Sequence, residues 1–249
     1  MNDWTTAKIV KVIKWKNNLF SLILNASIYP FIAGQFSRIL YIKKNGEHVQ
    51  RAYSYVNSPK NTNLEFYITL NPKGKLTKKL YNLSHSDTIM IKKTASGYFT
   101  LDEIPNCKNL WMFATGTGIG PYLSILQHKD DTERFKNIIL VHAVRYQNDL
   151  TYLPLMHELK KKYDKKLHIK TIVSREITNL SLHGRIPELL RNKSLENELE
   201  IEINKNTCHI MLCGNPEMIK DTQKFFLEKK GMKKHFRKNP GQITNENYW

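Results

Sequence analysis

The feature that most constrains this chain is a change of rhythm near Pro105. Before it, segments 8–15, 19–25, 35–42, 52–56, 64–70 and 88–93 are rich in β-branched and aromatic residues. Turn signals separate them: Pro30, Ala33-Gly34, Asn45-Gly46, Ser58-Pro59, Asn71-Pro72 with Gly74, and Ser96-Gly97. Many short strands broken at intervals of roughly 8–12 residues predict an antiparallel barrel, closed or nearly so. After Pro105, apolar strands at 110–115, 138–143, 167–173 and 209–213 alternate with helical patterns at 120–127, 153–163, 185–191 and 216–230. That alternation predicts βαβ units, right-handed crossovers and a parallel sheet. With no repeat and no low-complexity linker, two domains, 1–102 and 103–249, are expected to abut directly.

Composition narrows the classes. At 41% hydrophobic and 24% charged over 249 residues, the chain is globular rather than disordered. No apolar run approaches the ~18–20 residues a membrane span needs, and Met1-Asn2-Asp3-Trp4 does not open a signal peptide. Cys107, Cys208 and Cys213 are odd in number and lack CxxC spacing. They make neither a disulfide framework nor a zinc or iron–sulfur set, so no metal is expected and a cytoplasmic location is. The net charge of +17 rests on 31 Lys and only 8 Arg beside abundant Asn and Ile. Two readings stand: the drift of an AT-rich genome, or attraction to an acidic partner. Residues 1–100 carry 15 basic and 4 acidic side chains against 24 and 18 in the remainder, so such a partner should meet the first part. A nucleic-acid-binding reading finds no RNP-type or helix-turn-helix framework.

The chemistry-bearing residues fall in both halves. Arg51, Ala52, Tyr53 and Ser54 end the third or fourth strand. An Arg offers a bidentate fork to a phosphate, and a Tyr two positions on shares its strand face, free to lay its ring on a flat cofactor. Ser54 adds a hydroxyl. Gly74, Lys75, Leu76 and Thr77 put a glycine and a hydroxyl at a helix start, where backbone N–H groups suit a phosphate. The run Ala114-Thr115-Gly116-Thr117-Gly118-Ile119-Gly120-Pro121 follows an apolar strand and misses the usual Rossmann glycine spacing by one residue. Tyr248 and Trp249, two aromatics at the chain end, make sense if the tail folds back onto something flat.

These motifs, with Leu212-Cys213-Gly214-Asn215-Pro216-Glu217-Met218 and Glu246-Asn247-Tyr248-Trp249, occur in the order seen in ferredoxin/flavodoxin–NADP+ reductases. The resemblance runs from Trp4 to Trp249 and is nearest to the bacterial type ending in Tyr-Trp. It implies an FAD-binding barrel followed by an NADP-binding α/β domain whose tail returns to the flavin. It implies that Arg51 binds the FAD pyrophosphate, Tyr53 stacks on the isoalloxazine, and Ser54 lies near flavin N5. Tyr67, Ile68 and Thr69 resemble the strand lining the cofactor, and residues 74–77 the pyrophosphate loop. Thr117 would touch both cofactor regions. For the pyridine nucleotide the similar segments are His142, Ala143, Val144 and Arg145, then Ser174 and Arg175, then Arg185.

Arg145, Arg175 and Arg185 are three of only eight arginines, and planar guanidinium groups suit a 2′-phosphate and an adenine face. An NAD site would want an acidic residue about 20 positions past the glycines. Asp130, Asp131 and Glu133 come too early, 10–13 residues past Gly120. The resemblance further implies that Cys213 faces the nicotinamide, Tyr248 covers the flavin face opposite Tyr53 and moves aside for nicotinamide, and Trp249 stacks on the FAD adenine. Glu246 aligns with a carboxylate that relays protons. The expected activity is hydride transfer from NADPH to FAD, then single electrons to an acidic carrier, ferredoxin or flavodoxin, by a monomer. An NADH-dependent reductase feeding an oxygenase and a flavoprotein used only for binding are the rival readings.

Overall fold

The computed structural model describes residues 3–16 and 18–248. The chain divides into two compact units, Met1–Thr100 with Gly120–Lys129, and Leu101–Ile119 with Asp130–Trp249.

In the first unit the strands are β1 (Trp4–Lys14), β2 (Leu19–Asn25), β3 (Phe36–Ile42), β4 (His48–Ser54), β5 (Leu64–Thr69) and β6 (Thr88–Lys92), with helix α1 (Lys75–Tyr81) between the last two. They pair antiparallel in the order β4-β3-β6-β1-β2-β5. β1 serves two neighbours because its register shifts between Ile9 and Lys11, a bulge that bends it from β6 toward β2. The two ends of the sheet meet through an antiparallel bridge between Tyr55 and Phe66, and Val56 N–H donates to Glu65 O at 2.8 Å. One bridge and one hydrogen bond bring the ends together, so the expected barrel is nearly closed, with β4 still the end strand of the sheet. Its filling is the inward alternation of Ala7, Ile9, Phe20, Leu22, Leu24, Ile39, Phe66 and Ile91, with Leu76 and Leu80 of α1 packed on.

In the second unit, β7 (Asn109–Thr115), β8 (Asn137–Val144), β9 (Leu167–Val173), β10 (Leu182–His183), β11 (Cys208–Gly214) and β12 (Ile243–Asn247) pair parallel in the order β10-β9-β8-β7-β11-β12. The sheet starts at β7, grows outward through β8 and β9, then resumes on the other side with β11, which makes the β7/β11 junction its switch point. The helices are α2 (Gly120–His128), α3 (Leu153–Lys162), α4 (Ile186–Arg191), α5 (Ser194–Leu199) and α6 (Pro216–Lys230). Of these, α4, α5 and α6 bury Ile186, Leu190, Leu195, Ile219 and Phe226 on the sheet face formed by Trp111, Phe113, Val141, Ile210 and Leu212. β7 and β11 are buried along almost their whole length, which is why both read as unbroken apolar runs.

One helix packs where its sequence position does not suggest. α2 follows β7 in the chain but belongs to the barrel unit: Ser124 Oγ donates to Asn57 O at 2.7 Å and Gln127 Nε2 to Val56 O at 2.7 Å. Helix α1, helix α5, strand β10 and strand β12 are elements that the apolar pattern does not mark. β12 reads Ile-Thr-Asn-Glu-Asn, poor in β-forming residues after its first two, and forms because its backbone pairs along β11.

Phe66 is fully buried, joins the barrel's ends and lies 5.1 Å from the Tyr55 ring. Phe66→Ala should cost about 3–5 kcal/mol, read as a lower urea midpoint; a cost under about 1 kcal/mol would show that the closure does not rest on it. His209, at the start of β11, is buried with Nε2 2.9 Å from Thr244 Oγ1. Burial first, then the charges of His235 and Arg134, push it from 6.5 down to about 3. The unfolded chain therefore binds a proton that the native fold refuses in this window. Its contribution to stability is complete above about pH 6.5 and is lost as pH falls toward 3. His209→Asn should flatten the decline of stability with acid by up to ~1.4 kcal/mol per pH unit, measured by urea titration between about pH 6 and 4.

Candidate functional site

The barrel offers an edge strand with a mixed face. β4 is the end strand of the sheet, and Arg51, Ala52, Tyr53 and Ser54 run out along its C-terminal half, paired with Ile39, Arg38, Ser37 and Phe36. Arg51 and Ala52 are exposed, Tyr53 is half-buried and Ser54 is buried. Arg51 spends one Nη1 bond on Gln50 O, 2.7 Å away. The Tyr53 hydroxyl is buried without a hydrogen-bond partner among the described residues, and burial holds its pKa well above the ordinary tyrosine value. It is a neutral donor in search of an acceptor, a state that costs ~1–3 kcal/mol if nothing answers it. β5 brings Tyr67 and Ile68, both buried, and Thr69, exposed at its end. α1 begins at Lys75 with Gly74 as its cap. Thr77 does not turn its hydroxyl outward: Oγ1 donates to Asn71 O and accepts from Asn71 N–H, both at 3.2 Å, tying down the turn before the helix. The first-turn N–H groups of Lys75, Leu76 and Thr77 are left as the donors of that corner.

In the second unit the constellation gathers at the switch point. A Cβ on Gly118 would come within 2.7 Å of Cys213 O, and one on Gly214 within 2.2 Å of Thr115 Oγ1 and 2.7 Å of Thr115 O. Gly214 also has φ +127°, outside the range of other residues. Two glycines on facing loops therefore let the ends of β7 and β11 touch backbone to backbone. Thr115 Oγ1 accepts from Asn215 N–H at 2.8 Å, and Asn215 Oδ1 caps α6 by accepting from Glu217 and Met218 N–H. Thr117, in the single turn Gly116–Ile119, is buried beside this junction. Cys213 is fully buried; its thiol is raised well above the usual range, by burial first and then by the Glu246 carboxylate, against a smaller lowering by Tyr248. Glu246 stands directly across from Cys213 in the β11/β12 register, and Tyr248 N–H donates to Gly214 O at 3.0 Å. Trp249 lies outside the described residues.

The third group lines the C-terminal edge of the sheet. β8 ends in buried Ala143 and Val144 and leads into exposed Arg145; β9 leads into Ser174 and exposed Arg175. Parallel pairing carries on past the strands: Ser174 N–H donates to Val144 O at 3.1 Å and Arg175 N–H to Arg145 O at 3.0 Å. This sets the two arginines side by side, with Arg175 5.8 Å from the Tyr146 ring. Arg185 is exposed at the start of α4, its N–H donating to Glu188 Oε2 at 3.2 Å. Thr115, Asn215 and the ring of His142 are parts of the site that residue chemistry alone did not single out. Asn215 had a readable signal, Asn before Pro at a helix start.

Comparison with known proteins agrees with this division. Residues 8–100 match the oxidoreductase FAD-binding domain family and residues 112–224 the oxidoreductase NAD-binding domain family. Over 249 residues, and 100% of both chains, the protein is 59% identical to a flavodoxin/ferredoxin–NADP reductase of Buchnera aphidicola subsp. Baizongia pistaciae. The figure is 53%, again over 100% of both, for the flavodoxin/ferredoxin–NADP reductase of Escherichia coli strain K12. A ferredoxin NADP+ reductase from Neisseria gonorrhoeae, solved with bound FAD and NADP, superposes with a TM-score of 0.92 at 33% identity, covering 98% of each chain.

Gly214→Ala should destabilise the second unit by at least ~2 kcal/mol, since its φ of +127° strains any side chain and the Thr115 carbonyl, 2.7 Å from the added Cβ, can give way only by moving backbone. Thermal unfolding read by circular dichroism checks it; an unchanged midpoint would mean the two loops part without cost.

Proposed function

The chain belongs to the flavodoxin/ferredoxin–NADP reductases, and from that membership we propose roles for its own residues in the reaction. The protein is an FAD-dependent oxidoreductase that takes reducing equivalents from NADPH to ferredoxin or flavodoxin. When bound, the flavin accepts a hydride from the nicotinamide and releases its electrons singly to the carrier. The observation that carries our assignment of the site is the glycine-lined contact of the β7 and β11 loops at the switch point, where open α/β sheets bind nucleotides.

The barrel's donor set fits FAD. Arg51 and the N–H groups of Lys75, Leu76 and Thr77, which follow the cap residue Gly74, hold the pyrophosphate; Tyr53 lays its ring on the isoalloxazine and gives its unanswered hydroxyl proton an acceptor. Ser54 supplies a hydroxyl at the flavin's reactive edge, and the Tyr67, Ile68 and Thr69 backbone lines the cofactor. Thr117 belongs to the nucleotide loop. Ala143 and Val144 form an apolar floor, while Arg145, Ser174, Arg175 and Arg185 take the 2′-phosphate and the adenine. Arg145 and Arg175 are well suited to this: their backbones are joined, so the two loops that carry the guanidinium groups are already tied together before binding.

Cys213 packs a neutral thiol against the nicotinamide; its raised pKa excludes a thiolate that would react instead of orient. Glu246, opposite it, holds a proton for the flavin, and Tyr248 covers the ring until the nicotinamide displaces it. Trp249 stacks on the FAD adenine. Residues 1–102 form the flavin domain and 103–249 the nucleotide domain. The acidic carrier meets the basic first part. We place the enzyme as a monomer in the cytoplasm, with no nucleic-acid partner. The three cysteines are free, and no helix among the described residues is long and apolar enough to cross a membrane.

An anaerobic visible spectrum tests the reading: flavin bands should bleach with stoichiometric NADPH and barely with NADH. Replacing Arg145, Arg175 or Arg185 by Ala should raise KM for NADPH about 10–100-fold each, the loss of one or two charge-assisted bonds, and raise KM for NADH far less, since NADH shares the adenine but lacks the 2′-phosphate. Equal bleaching by both coenzymes would overturn the arginine assignment.

A further inference from the structure

His142 is a buried titratable side chain with no role in the scheme above. It lies 1% exposed near the end of β8, paired in register with Ala114 of β7. Its Nε2 is 2.9 Å from Gly116 O. A carbonyl oxygen only accepts, so Nε2 must carry the proton, which fixes the tautomer and leaves Nδ1 as a lone pair. Nδ1 is buried without a partner among the described residues. Burial lowers the ring's pKa from 6.5 to about 4, so it stays neutral throughout the physiological range. The fold therefore keeps a costly half-satisfied imidazole inside the sheet for the sake of one bond to one loop carbonyl.

That bond has a directional consequence. A trans peptide is planar, with its C=O and the following N–H pointing opposite ways. Turning the Gly116 carbonyl inward to His142 aims the Thr117 N–H away from the ring, on the opposite side of the peptide. Gly116 and Thr117 open the turn that sets Gly118 against Cys213 and Gly214. One imidazole thus fixes the peptide plane from which the rest of the loop is oriented.

We propose that His142 is the positioning residue of the nucleotide loop: its Nε2–H holds the Gly116 carbonyl so that the 117–118 backbone is preset for the pyridine nucleotide. This rests on reading the loop as the nucleotide site. The role is to spare the loop an ordering cost on binding rather than to touch the reacting atoms. Its signature is a loss in nucleotide affinity with little loss in turnover once the nucleotide is bound.

The test uses the FAD-loaded enzyme and two substitutions. Gln can place an amide donor near the position of Nε2; Leu cannot donate at all. Titration with NADP+, followed by the flavin difference spectrum, should weaken about ten-fold in His142→Leu and less than about three-fold in His142→Gln, as expected for losing and keeping one hydrogen bond. The kcat for ferricyanide reduction at saturating NADPH should stay within about two-fold of the parent in both. A Leu variant that binds NADP+ like the parent overturns the proposal, as does a kcat loss larger than the affinity loss. Should the Leu variant not fold, nitrogen NMR of the parent decides. The ring must show a protonated Nε2 and a lone-pair Nδ1, and the reverse tautomer would refute it. If the parent enzyme itself neither holds FAD nor oxidises NADPH, the functional reading fails instead, a result distinct from all of these.

Discussion

The contact on which the second unit depends is the approach of two backbones, Gly118 to the Cys213–Gly214 peptide and Gly214 to Thr115. A single methyl group at either glycine would push the loops apart. Because they touch, Thr115 Oγ1 reaches Asn215 N–H, and Asn215 is held where its side chain caps α6. The same peptide extends outward: Gly214 pairs with Asn247 and its carbonyl receives Tyr248 N–H, so β12 and the chain end hang from β11. The position of Glu246 across from Cys213 is therefore a consequence of a glycine contact thirty-odd residues earlier, and not a preference of the tail's own sequence.

The use of arginine follows a related logic. In a chain that meets most surface needs with lysine, arginine stands where a planar fork must satisfy several acceptors at once. Two of the eight serve structure: Arg134 donates to the carbonyls of Leu101, Ile104 and Pro105, and Arg237 makes a bidentate pair with Glu103. Both grip the short segment that opens the second unit. Scarcity thus marks geometry rather than ligand binding as such. Exposure does not separate the candidates either: Arg51, Arg145, Arg175 and Arg185 are exposed, and so are Arg38, Arg191 and Arg237.

Much of this was legible in the sequence because it is local. Continuous apolar runs mark β7, β8 and β11, since strands buried on both faces need no polar alternation, and the glycine runs mark the loops behind them. The Arg51–Tyr53 face follows from strand periodicity. What stayed hidden depends on partners distant in sequence. β12 is strand only because β11 offers its edge. α2 is buried on every side from Gly120 to Leu126, and nothing local announces that Ser124 and Gln127 will bond to residues 57 and 56. The hydroxyl of Thr77 marks a helix start in the sequence, but that it bonds Asn71 on both sides of the turn is seen only in the fold. His142 lies inside an apolar strand, where a lone histidine ordinarily reads as filler; only its 2.9 Å bond to Gly116 O gives it a direction.

Both units divide their ionisable groups in the same way. Arg51, Arg145, Arg175 and Arg185 sit exposed, where water spares their charges the cost of burial. Three other groups are buried and uncharged: the Tyr53 phenol and the Cys213 thiol are held above their ordinary pKa, and the His142 imidazole below its own. Burial drives all three shifts, and in each case it favours the uncharged form.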